Sequence, residues 1–175
     1  EEAPVEGAEN NLVFAVEETK TSDDESRNTG VYQRCSKFVY IKAFYPDIPL
    51  YMLYNDELEL REDKKPSDTS ILGTNMLLTN NVKISGKPVD RWFRPFNSID
   101  GLIAFKNGMR RPPAGNTPIL IHRSGNKITV SGRLDKPKNI GKIAHDPNIG
   151  AFSYISYTLR QLGWNGESEI VDHHV

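Results

Sequence analysis

Leu12-Val13-Phe14-Ala15-Val16 is an unbroken apolar run that gives way at once to Glu17-Glu18-Thr19-Lys20. β-Branched and aromatic residues suit a half-buried pleated surface, so a strand is predicted from about Leu12 to Thr19, with Phe14 and Val16 entering a core. The polar stretch Thr21 to Ser26 offers several residues able to cap a helix. Val31, Cys35, Phe38, Val39 and Ile41 then recur at spacings of three and four, while Gln33, Arg34, Lys37 and Lys42 fall off that stripe. This is an amphipathic helix from Ser26 or Gly30 to Phe44, stopped by Pro46 and Pro49. Leu50-Tyr51-Met52-Leu53-Tyr54 is too apolar for a loop and too short for a helix. A buried strand is expected there, and strand–helix–strand order implies a βαβ crossover with parallel strands.

Further along, the pattern is less regular. Glu57 to Lys65 reads as a short exposed helix or loop, and Ile71 to Leu78 as a second short element. Residues 82–143 are rich in Gly, Pro and bases, with short strand-like pieces. The clearest is a hairpin, Ile119–His122 and Lys127–Val130 around Arg123-Ser124-Gly125-Asn126. Trp92, Phe93 and Phe96 lie among Arg91, Arg94 and Pro95; such rings pack in a core or stack on unpaired bases. Asp146 and Pro147 open a second helix, in which Ile149, Phe152, Ile155, Leu159 and Leu162 repeat at helical spacing and Gly163 is a stop. A last strand, Glu169–Asp172, precedes His173-His174-Val175.

A chain of 175 residues can form one domain with a real core, and no apolar run is long enough to cross a membrane as a helix. The opening Glu1-Glu2-Ala3-Pro4 is not a secretory signal, and a first residue other than Met suggests a processed or trimmed chain. The single cysteine, Cys35, allows no internal disulfide and fits a reducing, cytoplasmic setting, where it is expected as a packed thiol. The net charge of −1 conceals an asymmetry. Residues 1–30 hold nine acids and two bases; residues 83–142 hold thirteen bases and three acids, a net +10. A long segment of one sign is the footprint expected of a phosphate-backbone contact, although charge runs also serve simply as solvated surface.

Glu18 and Lys20 are two apart, so they project from one face of the predicted strand. A carboxylate beside an ammonium at the end of a buried strand can hold a divalent metal and a water near a phosphate. The same pair also occurs as an ordinary solvated strand end. The stretch Val16 to Asn55, with Glu18-Thr19-Lys20, the turn Thr21 to Arg27 and the helix segment Val31-Tyr32-Gln33-Arg34-Cys35-Ser36-Lys37-Phe38, resembles the PD-(D/E)XK nuclease superfamily, most closely type II restriction endonucleases. The resemblance implies a restriction-endonuclease-like α/β core: a mixed central sheet flanked by helices, built from residues 10–55 and 145–175. In a single domain spanning 1–175, the basic β-rich insertion at about 83–142 would contact DNA. It also implies Mg²⁺, a hard cation suited to carboxylate oxygens, held by Glu18 and the Thr19 carbonyl. Lys20 would orient or help deprotonate the attacking water, and Gln33 would steady the water or a phosphate.

The family pattern places another acid upstream of the Glu-x-Lys strand. Here the candidates are Glu6, twelve residues before Glu18, and Glu9; otherwise the acid lies outside this chain. Glu17 falls on the opposite strand face. For nucleic acid, Arg110, Arg111, Arg123, Lys127, Arg133, Lys136 and Lys138 are the candidate contacts. His122, His145, His173 and His174 show no zinc spacing. The sequence thus leads to the expectation of a Mg²⁺-dependent, sequence-specific endonuclease acting on double-stranded DNA as a homodimer. Two alternatives remain: a non-catalytic DNA-binding domain with an incomplete metal site, and a repair or RNA-directed nuclease of the same fold.

Overall fold

The computed structural model describes residues 12–19, 29–54, 65–86, 89–109, 119–133 and 147–173. Within them the protein is mixed α/β. Two three-stranded sheets are accompanied by four helices of ten residues or more and one single turn. The first sheet comprises β1 (Ala15–Thr19), β2 (Leu50–Tyr54) and β3 (Lys83–Ser85), in that order and all parallel. Helix α1 (Thr29–Phe44) makes the crossover between β1 and β2, as the strand–helix–strand order requires. It ends at Phe44, just ahead of the two prolines.

The sequence expectation fails on which face of β1 is inside. Phe14 and Val16 are 54% and 45% exposed, whereas Ala15 packs on the core and Glu17 is half-buried. Register explains the reversal. Ala15, Glu17 and Thr19 pair with Leu50, Met52 and Tyr54, the three buried residues of β2, which face the core. Apolar residues occur at both parities in 12–16, so the run itself did not specify a face.

Helix α2 (Asp68–Thr79) is buried along most of its length, from Ser70 to Leu77. Its N-terminus is capped by Ser67, whose hydroxyl accepts from the Ser70 N–H at 3.2 Å. At its other end the N–H of Val82 reaches the Leu77 carbonyl and that of Asn81 reaches Leu78, with Asn81 at φ 59°. This left-handed residue turns the chain into β3. After the single turn α3 (Val89–Trp92), helix α4 (Ile99–Gly108) begins at Ser98, whose hydroxyl caps Gly101 N–H at 2.9 Å. Helix α4 occupies a region expected to hold only loops and strand-like pieces.

The second sheet comprises β4 (Leu120–Ser124), β5 (Lys127–Gly132) and β6 (Glu167–Asp172). β4 and β5 are the expected antiparallel hairpin. Gly125 takes φ 56° at the first turn position, as a two-residue type II′ loop requires. Helix α5 (Pro147–Gln161) closes with a Schellman arrangement: Gly163 sits at φ 104°, Trp164 N–H reaches the Leu159 carbonyl and Gly163 N–H reaches Arg160. β6 then pairs parallel with β5, not with the first sheet. The single mixed central sheet expected from sequence is therefore two sheets among the described residues, because the last strand joins the hairpin. One core nevertheless runs between them, through Phe38, Met52, Leu72, Met76, Leu102, Ile128, Phe152 and Ile155, with α5 lying against α1. No described helix is long and apolar enough to cross a membrane.

Candidate functional site

The C-terminal ends of β1, β2 and β3 lie together because all three strands run the same way. In open parallel sheets this edge is where ligands bind. Glu18 is the penultimate residue of β1 and is exposed, opposite Leu53 on β2, which is in turn opposite Ser85 on β3. Thr19, which would offer its carbonyl, ends the strand opposite Tyr54.

The neighbouring carboxylate has a different task. Glu17 accepts a hydrogen bond from Lys37 Nζ of α1 at 3.3 Å, an ion pair with a largely exposed ammonium. Such a pair contributes less than about 1 kcal/mol, but it fixes which side of β1 faces the helix. By strand alternation Glu18 leaves β1 on the side away from α1. Gln33 is on α1, one helical turn before Lys37. Lys20 and Glu6 lie outside the described residues, as do Arg110, Arg111, Lys136 and Lys138.

No group of three His, Cys, Asp or Glu side chains capable of holding a metal occurs among the described residues. Among the described residues, Glu18 and the Thr19 carbonyl are candidate oxygen donors at this strand end. Mg²⁺ uses one or two carboxylates and keeps several waters, so the donor type fits.

Three of the nucleic-acid candidates, Arg123, Lys127 and Arg133, are among the described residues. Arg123 on β4 donates to Asp100 Oδ1 at 3.2 Å, and its guanidinium lies 5.1 Å from the centre of the Trp164 ring. Lys127 on β5 forms a 2.7 Å ion pair with Glu169 on β6. The hydrogen bond and charge of Glu169 raise the Lys127 pKa, and Lys127 in turn lowers that of Glu169. Arg133, just beyond β5, is exposed. Both side chains are exposed; Lys127–Glu169 joins β5 to β6, whereas Arg123–Asp100 joins β4 to α4.

One charged group was missed. Lys106 in α4 is only 8% exposed, and burial lowers its pKa to about 8. The signal was present in the spacing: Lys106 follows Leu102 by four residues and so falls on the buried stripe of a helix that had not been assigned. Among the rings, Phe93 is buried and Phe96 packs edge-on to Phe105 at 5.9 Å, while Trp92 is half-buried. Comparison with family models, with curated proteins and with solved structures finds no match for this chain.

Proposed function

We propose that the protein is a metal-dependent endonuclease of the PD-(D/E)XK type, cutting double-stranded DNA sequence-specifically as a homodimer. The observation that carries this reading is Glu18, an exposed carboxylate at the C-terminal end of a parallel β-strand whose crossover helix leads to a second parallel strand. That arrangement matches the local order of the resemblance: Glu-x-Lys strand, helix with Gln33 and Lys37, apolar strand. The net +10 of residues 83–142 supports a phosphate-bearing substrate.

On this reading Glu18 and the Thr19 carbonyl would hold Mg²⁺, with Glu6 or another acid completing the set. The bound ion supplies Lewis acidity and a more acidic water. Lys20 would orient or help deprotonate the attacking water and stabilise charge on the phosphate. Gln33, carried by α1, would face the same site and steady the water or a phosphate. The restriction-endonuclease-like core belongs to the same proposal.

The test is plasmid cleavage with and without Mg²⁺. Cleavage should require the metal and should fall at least a hundredfold in Lys20→Ala and Glu18→Gln, the scale of losing a general acid–base or charge-stabilising group. Unchanged cleavage by Lys20→Ala would remove Lys20 from the mechanism. The second reading, a DNA-binding domain without catalysis, draws on the lack of a three-member metal cluster among the described residues. It requires metal-independent DNA binding with no cleavage, even in Mn²⁺.

A further inference from the structure

The cations of the basic segment are not equivalent. Arg123 and Lys127 have carboxylate partners, whereas Arg94 is exposed and no acidic side chain among the described residues pairs with it. Its backbone, in contrast, is fixed. The Arg94 N–H donates to Asn75 Oδ1 at 2.9 Å, and the Phe96 N–H donates to Thr79 Oγ1 at 2.8 Å. Asn75 and Thr79 are four apart on α2, one above the other on the same helix face, so they grip the loop at two points. Between α3 and that grip, Phe93 is buried to 3% exposure and anchors the segment. On its other side the Arg91 guanidinium lies 5.3 Å from the centre of the half-buried Trp92 ring.

The segment Arg91–Arg94 therefore presents a guanidinium against an indole and, past a buried anchor, a second guanidinium. All sit on backbone that is already ordered. Ordering costs commonly weaken contacts made by arginine-rich loops, and here they are reduced in advance. A guanidinium matches phosphate oxygens in fork geometry. An indole accepts any base on its face, and an arginine alongside adds cation–π attraction.

We propose that Arg91, Trp92 and Arg94 form a contact surface for a nucleic-acid strand with an unpaired base, Arg94 taking a backbone phosphate and the Trp92–Arg91 pair receiving the base. This rests only on the phosphate-contact part of the reading above and goes beyond it, because the unpaired strand is a ligand distinct from the double-stranded substrate proposed there.

The experiment measures fluorescence anisotropy of a labelled oligothymidylate, and of its duplex with oligoadenylate, against the full chain in EDTA over a range of salt. The single strand is expected to bind more tightly than the duplex. Arg94→Gln should weaken binding severalfold and reduce the slope of log affinity against log salt by about 0.7, the value for one phosphate on a single strand. Trp92→Leu should weaken single-strand binding roughly tenfold, with little change in slope. Should Trp92→Leu fail to fold by circular dichroism, Arg94→Gln, altered only at an exposed side chain, decides the matter. Unchanged affinity and slope in Arg94→Gln, or equal preference for duplex, would overturn the proposal. Because EDTA prevents metal-dependent cleavage, the two readings separate. Variant-sensitive binding by a protein that never cuts DNA removes the nuclease and keeps this surface. Cleavage by a protein whose binding ignores Arg94 does the reverse.

Discussion

Lys106 puts a testable strain on the fold. Its side chain lies on the inner stripe of α4 below Leu102, at 8% exposure, and burial lowers its pKa from 10.5 to about 8. A lowering of that size means that a charged Lys106 costs the folded state roughly 3 kcal/mol. The sign follows from proton binding. Below pH 8 the amine is protonated in both states and the cost is present in full. Between pH 8 and 10.5 the unfolded chain holds the proton and the folded chain has released it, so the contribution becomes less unfavourable as pH rises. Lys106→Met keeps an unbranched chain of similar length, suits a helix interior and removes the charge. The variant should be more stable than the parent at pH 7 by about 1–3 kcal/mol, and the advantage should shrink towards zero by about pH 10. Urea denaturation of both proteins from pH 7 to 10 reads this as a midpoint difference on the order of 1 M at neutral pH. Taking the difference between the two chains cancels other titrations, including Tyr157, whose pKa is raised by burial. A variant that is no more stable at pH 7, or whose advantage does not depend on pH, would refute the reasoning.

Two packing predictions follow from the described contacts. A Cβ at Gly166 would clash with the Asn126 carbonyl oxygen, a backbone atom of the hairpin turn, while one at Gly108 would meet nothing within 4 Å. Gly166→Ala should therefore destabilise by more than about 2 kcal/mol, whereas Gly108→Ala at the end of α4 should be neutral or up to about 1 kcal/mol stabilising, both read by thermal melts. Asn107 grips β4 with two hydrogen bonds, Nδ2 to the Ile121 carbonyl at 2.8 Å and Oδ1 from the Ile121 N–H at 2.9 Å. Asn107→Ala should cost about 1–3 kcal/mol and speed amide exchange at Ile121 by at least tenfold.

What the sequence made legible was governed by local rules. Helix α1 ends at Phe44 because Pro46 and Pro49 forbid continuation, and β2 spans Leu50–Tyr54 because five apolar residues lie between breakers. The hairpin follows from Gly125-Asn126, and the end of α5 follows from Gly163; each glycine adopts the positive φ that its position needs. The features not recovered depend on partners distant in the chain. Helix α4 is short and carries Gly101 and Gly108, so its propensity is poor; its capping serine and its packing on β4 make it a helix. Likewise, nothing within Glu167–Asp172 states that β5, rather than β2, will be its neighbour.

The same division runs through the candidate site. Spacing placed Glu18 and Lys20 on one face of a strand, which only requires a period of two. It could not say which face α1 would cover, because 12–16 is apolar at both parities. The Glu17–Lys37 ion pair and the buried register partners Leu50 and Met52 settle that question, and they set Glu18 on the side away from the helix. A site built on Glu18 must therefore close around the strand end, drawing its second oxygen donor from the sheet's open side or from the segment leading into β1. Glu6 precedes β1 in the chain and, on the proposed reading, is one candidate for that acid, with Glu9 the other. If Glu6 completes the set, Glu6→Gln should abolish Mg²⁺-dependent cleavage as fully as Glu18→Gln while leaving strand binding in EDTA intact. If cleavage survives that change, the second acid is another residue.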